Sequence, residues 1–282
     1  MKYLITGRNG QLASSFITRF ETLSMDFVAP DEKDCDITDS RAVAAVVSAS
    51  QPDIIINCAA YNLVDKAEQN PSRALSVNET GPRNLAAAAK RQGAVLVHYS
   101  SDYVFDGDKQ NGLYVEADLP CPVNQYGRSK LAGENAVKQE LDQSLIFRLS
   151  WVFGPGKQNF IHKFLERARD HEVLQATCDE FSVPTYTETV VDVTLQALEQ
   201  GVTGLFHLTN SGFCSRYEWA KAILAEKKLQ RFIRPVLMES FHLPARRPGF
   251  SAMSNRSIAA LLKRDIPAWD HAVSDFLKKG GF

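Results

Sequence analysis

Lys2-Tyr3-Leu4-Ile5-Thr6-Gly7-Arg8-Asn9-Gly10-Gln11-Leu12-Ala13 opens the chain and decides its fold. The first five residues are a short, β-prone apolar run. Beyond the turn, Leu12, Phe16, Ile17 and Phe20 recur at helical spacing. A glycine turn held between a strand and a helix predicts a dinucleotide-binding crossover. Gly7 permits the tight turn, Gly10 lets backbone approach a pyrophosphate, and Ala13 is small enough for helix to pack on strand. The helix start at Gln11 and Leu12 offers N–H groups and a positive dipole end to phosphates. The spacing is G-x-x-G-x-x-A, not G-x-G-x-x-G, and an ordinary tight turn is the alternative.

Working outward, residues 26–29, 53–60, 94–100 and 144–149 read as further strands, and 40–50, 82–91 and 124–140 as helices. The run at 53–60 is continuously apolar, as in a parallel strand covered on both faces. Alternating strands and helices predict an α/β fold, a doubly wound parallel (Rossmann) sheet, over residues 1–150. Residues 151–282 lose that rhythm and predict a smaller C-terminal, mainly substrate-binding domain, with segments at about 180–210 returning to the Rossmann sheet. Within it 159–170 and 217–226 look helical, 204–208 looks like a strand, 235–257 is loop-rich, and 278–282 reads as a frayed tail.

The 282 residues carry a formal net charge of −1, so there is no global basic field and no nucleic-acid partner is expected. No apolar run approaches the roughly 18 residues of a membrane span, and no signal-like N-terminus is seen. The five cysteines are dispersed and lack a CxxC pair. They read as reduced packing residues of a cytoplasmic protein, and no metal site is expected.

Asp31 lies 21 residues beyond Gly10, where an acid binds the adenosine ribose 2′-OH. That leans toward NADH, although Arg8 and Lys33 are nearby cations suited to a 2′-phosphate. Asp36 and Ile37 are placed to flank adenine. Ala59-Ala60-Tyr61 ends the third parallel strand, where doubly wound sheets hold ligands. Tyr126 and Lys130, four apart on a helix, project from one face. A fixed ammonium beside a phenol lowers its pKa from about 10 and readies it for proton exchange with a carbonyl oxygen. The bland alternative is a solvated helix face. Ser101, at a strand end, offers a hydroxyl to the same carbonyl, although Ser and Asp at strand ends also start turns.

On these motifs the chain resembles the extended short-chain dehydrogenase/reductase superfamily. Within it, the chain is most similar to the dTDP-4-dehydrorhamnose reductase family. The likeness runs through NCAAYNLVDKAE at 57–68, VNETGPRNLA at 77–86 and HYSSDYVFDG at 98–107. It continues in PVNQYGRSKLAGE at 122–134, IFRLSWVFG at 146–154, DEFSVPTY at 179–186, FHLTNSGFCSRYEWA at 206–220 and RRPGFSAMSN at 246–255.

The resemblance implies reduction of the C4 ketone of a nucleotide-linked 4-keto-6-deoxy sugar by NADPH or NADH. The expected conversion is dTDP-4-dehydro-L-rhamnose to dTDP-L-rhamnose, in polysaccharide biosynthesis. It implies Tyr126 as general acid, Lys130 as the group that lowers its pKa and binds the nicotinamide ribose, and Ser101 as the carbonyl-orienting hydroxyl. Gly7, Gly10, Gln11, Leu12, Asp31, Asp36, Ile37, Ala60, Tyr61, Asn62 and Tyr99 would join Tyr126 and Lys130 around the cofactor. Asp102 would lie beside the sugar, Trp151 would pack against the substrate, and Arg247 would pair with a nucleotide phosphate. A surface loop arginine is the alternative for Arg247. Lys66 and Glu68 fit a solvated helix face equally well, and His98, His207 and Trp219 read as packing. Asn62-Leu63 and Ala13 depart from the family pattern without removing a catalytic group. A non-catalytic NADP-binding regulatory subunit of the same fold, or an epimerase or reductase for another sugar nucleotide, stays open. So does monomer against homodimer.

Overall fold

The computed structural model describes residues 1–280. Five strands follow the expected rhythm: β1 (Lys2–Thr6), β2 (Asp26–Val28), β3 (Ile54–Asn57), β4 (Val95–Ser101) and β5 (Ser144–Leu149). With a sixth strand, Gly204–His207, they form one sheet in the order Gly204–His207, β5, β4, β3, β1, β2, with every pairing parallel. The order reverses between β1 and β3. There the carboxyl ends of neighbouring strands diverge and leave a crevice for a ligand.

Alternation along the strands assigns each side chain to a face. Tyr3, Ile5, Ile54, Ile56, Leu145 and Phe147 share one core with Phe16 and Phe20 of helix α1 (Gln11–Thr22). Leu4, Ile55, Leu96 and Ile146 share the opposite core with Val43 and Val47 of helix α2 (Ser40–Ser50) and Leu85 and Ala89 of the helix Gly81–Gln92. Covering both faces is what permits the unbroken run Ile54-Ile55-Ile56, none of it more than 5% exposed.

A separate core gathers Trp151, Phe153, Phe164, Leu174, Trp219 and Phe276, all from the C-terminal half. It includes a parallel pair, Val173–Thr177 with Phe232–Val236, that local pattern does not reveal. The chain also crosses back. Helix Thr187–Glu199 packs Val190, Val193 and Ala197 into the α1 side of the sheet, and Gly204–His207 then extends the sheet beyond β5. The loop-rich segment at 235–257 begins inside the strand Phe232–Val236 and runs into the helix Arg256–Leu262. The expected frayed tail at 278–282 is corrected in part. Lys278 ends the helix Trp269–Lys278, and Lys279 pairs with Glu188. That helix is ordered because Phe276 and Leu277 are buried. Gly281 and Phe282 lie outside the described residues.

The helix Gln125–Glu140 carries Tyr126 and Lys130, and its start is tightly fixed. Asn124 Oδ1 accepts from the Gly127 amide at 2.7 Å, and Glu68 Oε1 accepts from the Gln125 amide at 2.7 Å. Such capping satisfies amides that a helix start otherwise leaves open. Gly127 then lets the helix touch the turn after β4. A Cβ at this position would sit 2.0 Å from the Tyr103 carbonyl oxygen. This contact brings Tyr126 beside Ser101.

Candidate active site

Two adjoining cavities follow the carboxyl edge of the sheet. The outer one, about 350 Å³, is lined by Gly7, Gly10, Asp31, Asp36, Ile37, Ala60, Tyr61 and Asn62. The inner one, about 250 Å³, is lined by Gly10, Gln11, Leu12, Ala60, Asn62, Tyr99, Ser101, Asp102, Tyr126, Lys130 and Trp151. Gln158, which the sequence pattern did not single out, lines both. Arg247 lines neither.

At the outer end the chain offers backbone. Gly7 sits at φ +73°, and a Cβ there would lie 2.6 Å from the Ala59 amide nitrogen, so its turn is pressed against the residues that follow β3. Gly10 caps α1 without any side-chain bond, which leaves the first helical amides to a ligand. Asp31 Oδ1 accepts from the Lys33 and Asp34 amides at 2.8 and 3.1 Å. Those bonds hold its carboxyl below the usual range and ionised at the cavity lip. Arg8 donates to the Ala29 carbonyl oxygen at 3.2 Å, and Arg73 lines the same cavity while pairing with Glu32 at 3.5 Å.

At the inner end the walls hold unpaired polar atoms. Gln11 Oε1, Ser100 Oγ and Trp151 Nε1 are buried without a hydrogen-bond partner, and all three residues line the inner cavity. An unpaired buried polar group costs about 1–3 kcal/mol, so a polar guest that satisfied these atoms would recover part of that. Together with the open helix start, they fit a dinucleotide. Among the described residues, no group of three or more His, Cys, Asp and Glu side chains is arranged to hold a metal ion.

Lys130 is 2% exposed, and its ammonium donates to the Tyr99 carbonyl oxygen at 2.6 Å. Burial pulls its pKa down to about 8, against the pull of Glu134 one turn on. Glu134 is itself bound through both oxygens, at 2.8 Å each, to Arg148 of β5. The Tyr99 hydroxyl pairs with Thr194 at 2.9 Å, away from chemistry.

The expected effect of Lys130 on Tyr126 is corrected here. Burial pushes the Tyr126 phenol up to about 12. The Asp102 charge adds to this and the Ser101 hydroxyl opposes it. The i,i+4 spacing is as expected, but one N–H of the ammonium is directed at the Tyr99 carbonyl, and desolvation of the phenol is the larger effect.

Asp102 lines the inner cavity yet is only 3% exposed. Its Oδ1 accepts from Ser101 at 3.1 Å, and its Oδ2 accepts from Ser182 at 2.9 Å and Ser251 at 2.6 Å. Trp151 adopts φ +38°, a left-handed conformation rare for a bulky residue. Its ring lies parallel to Trp219 at 5.6 Å, and the Arg216 guanidinium sits 3.6 Å over it. Pattern reading missed Ser182, Arg216 and Ser251. All three lie in segments that carry the family resemblance, 179–186, 206–220 and 246–255, but nothing local marks these residues among their neighbours.

Arg247 lies outside both of these cavities and pairs with Asp65, Nη1 to Oδ1 and Nη2 to Oδ2, both at 2.7 Å. Its Nη1 also donates to the Ala245 carbonyl oxygen at 2.6 Å. Lys66 is exposed, whereas Glu68 caps the helix of Tyr126. His98 and His207 are buried, and Trp219 is a fully buried core residue.

Fold and site define a dinucleotide-dependent oxidoreductase of the short-chain dehydrogenase/reductase type. A family model described as the RmlD substrate binding domain matches residues 1–281, and the chain belongs to that family. The chain is 36% identical to a dTDP-4-dehydrorhamnose reductase of Burkholderia thailandensis over 292 residues, covering 97% of each. It is 34% identical to the Bacillus subtilis spore coat polysaccharide biosynthesis protein SpsK, covering 99% of this chain and 97% of SpsK. The crystal structure of a dTDP-4-dehydrorhamnose reductase from Bacillus anthracis in complex with NADP superposes with a TM-score of 0.95 at 34% identity, covering 99% of both chains.

Proposed function

We propose that this chain reduces the C4 ketone of a nucleotide-linked 4-keto-6-deoxy sugar, converting dTDP-4-dehydro-L-rhamnose to dTDP-L-rhamnose with NADPH or NADH. The observation that carries the reading is the joining of two features in one space. Ser101, Tyr126 and Lys130 wall the inner cavity, which shares Gly10, Ala60 and Asn62 with the outer one. We also read the chain as a cytoplasmic protein, monomeric or homodimeric. Residues 1–150 with the returning segment near 187–208 would be the cofactor half, and the rest of 151–282 the substrate half.

Gly7, Gly10, Gln11 and Leu12 would hold the pyrophosphate, Asp31, Asp36 and Ile37 the adenosine end, and Lys130 the nicotinamide ribose. Reduced nicotinamide held there would supply the hydride that C4 needs. A phenol with a pKa of about 12 is fully protonated at neutral pH, so Tyr126 acts as an acid and donates its proton to the C4 oxygen. Below about pH 8 Lys130 keeps its ammonium and favours the phenolate that this donation leaves. Trp151 closes the cavity beside the sugar.

The test incubates the pure protein with a panel of 4-keto sugar nucleotides and each cofactor, following loss of absorbance from the reduced nicotinamide. Oxidation with dTDP-4-dehydro-L-rhamnose is expected. No oxidation with any sugar, together with a stoichiometric protein partner, would replace the reading with a regulatory NADP-binding subunit.

A further inference from the structure

The three hydroxyls on Asp102 come from three separate parts of the chain. Ser101 ends β4, Ser182 lies in the short strand Phe181–Ser182, and Ser251 lies in the loop before Arg256–Leu262. All three serines are buried, at 6%, 0% and 2% exposure. The Ser101 Oγ accepts from the Tyr103 amide at 3.2 Å and donates a hydrogen bond to Asp102 Oδ1 at 3.1 Å. Its single hydroxyl proton is thus shared between the Asp102 carboxylate and the Tyr126 phenol, and the carboxylate competes for it with the side of the cavity where a substrate carbonyl would lie. A serine that orients a ketone must therefore be released by Asp102, and release is easier the more other donors share the charge.

We propose that Ser182 and Ser251 are positioning residues which, by donating to Asp102, free the Ser101 hydroxyl to turn toward the substrate carbonyl. Asp102 is then a positioning residue as well, acting through Ser101 and not by touching the sugar. The C-terminal half thus contributes to chemistry by weakening a competing hydrogen bond. The inference rests on the ketoreductase reading above.

The groups around Asp102 make the device sensitive to pH. Burial pushes its carboxyl up to about 6, while the three hydroxyls and the Arg216 guanidinium favour the ionised form. Tyr103 and Tyr126 face it as neutral phenols, both raised chiefly by burial. Glu180 partners Arg216 at 3.4 Å. Removing a serine donor raises the Asp102 pKa further and, while the carboxylate stays ionised, concentrates its charge on Ser101. Protonating Asp102 removes that hold.

The experiment measures kcat, KM and NADPH affinity from pH 5 to 9 for the natural protein, Ser182→Ala, Ser251→Ala and the double variant. At pH 8 the double variant should lose about tenfold in kcat, the scale of one hydrogen bond to a charged group. NADPH affinity should be unchanged. Activity should return on acidification, with a midpoint above the natural value near 6. Asp102→Asn keeps the volume but cannot titrate, and should remove that limb of the profile even if the double variant does not fold. Unchanged kcat in the alanine variants, or an equal loss at every pH, would overturn the proposal. Absence of turnover by the natural protein on every sugar would instead remove the ketoreductase reading.

Discussion

The two ends of the active-site crevice are built in different ways. The cofactor end is made of backbone: the Gly7 turn, the uncapped start of α1 and the small residues after β3, each supplied by a contiguous stretch. The chemical end is made of side chains that meet from far apart. Ser101 meets Ser182 and Ser251 through Asp102, and Trp151 meets Arg216 and Trp219. Backbone sites tolerate most side-chain changes but not an added Cβ. Side-chain sites depend on each partner and on the packing that aims it.

Three substitutions probe that contrast. The largest effect belongs to the chemical end. Tyr126→Phe should lower kcat about 10³-fold, within the range for a lost general acid, with NADPH affinity nearly unchanged. Retained turnover would take Tyr126 out of the proton transfer. An intermediate effect belongs to the backbone end. Gly7→Ala forces a side chain into a left-handed position pressed on Ala59 and should cost about 1–3 kcal/mol of stability. It should also weaken NADPH binding, read by melting with and without cofactor. Unchanged binding would show that this turn is not what holds the pyrophosphate.

The smallest effect is expected at Arg247. Its guanidinium is committed to Asp65, so Arg247→Ala should change KM for the nucleotide sugar less than about threefold and cost about 1 kcal/mol of stability. A large rise in KM would mean that the ion pair opens to receive a phosphate. The chemical end would then include this loop.

Sequence alone determined the doubly wound sheet and picked out residues that line the outer cavity, Gly7, Gly10, Asp31, Asp36, Ile37, Ala60, Tyr61 and Asn62. Buried parallel strands have to be continuous apolar runs, as Ile54-Ile55-Ile56 is, and a phosphate-binding turn needs glycine at fixed local spacing. Tyr126 and Lys130 were legible for the same reason, because the pitch of one helix relates them. The helix Thr187–Glu199 was not legible: β-branched Thr187, Thr189, Val190, Val191, Val193 and Thr194 disfavour helix locally, and packing against α1 and the sheet overrides them. The pairing of Val173–Thr177 with Phe232–Val236 joins segments with no local pattern in common. Only the tertiary structure decided that Arg247 meets Asp65, that Asp102 gathers three serines, and that Lys130 turns to the Tyr99 carbonyl. Charge and hydrogen bonding act across space over a few ångströms. The pKa of a buried phenol therefore depends on everything packed around it, of which the residue four places along the chain is one part.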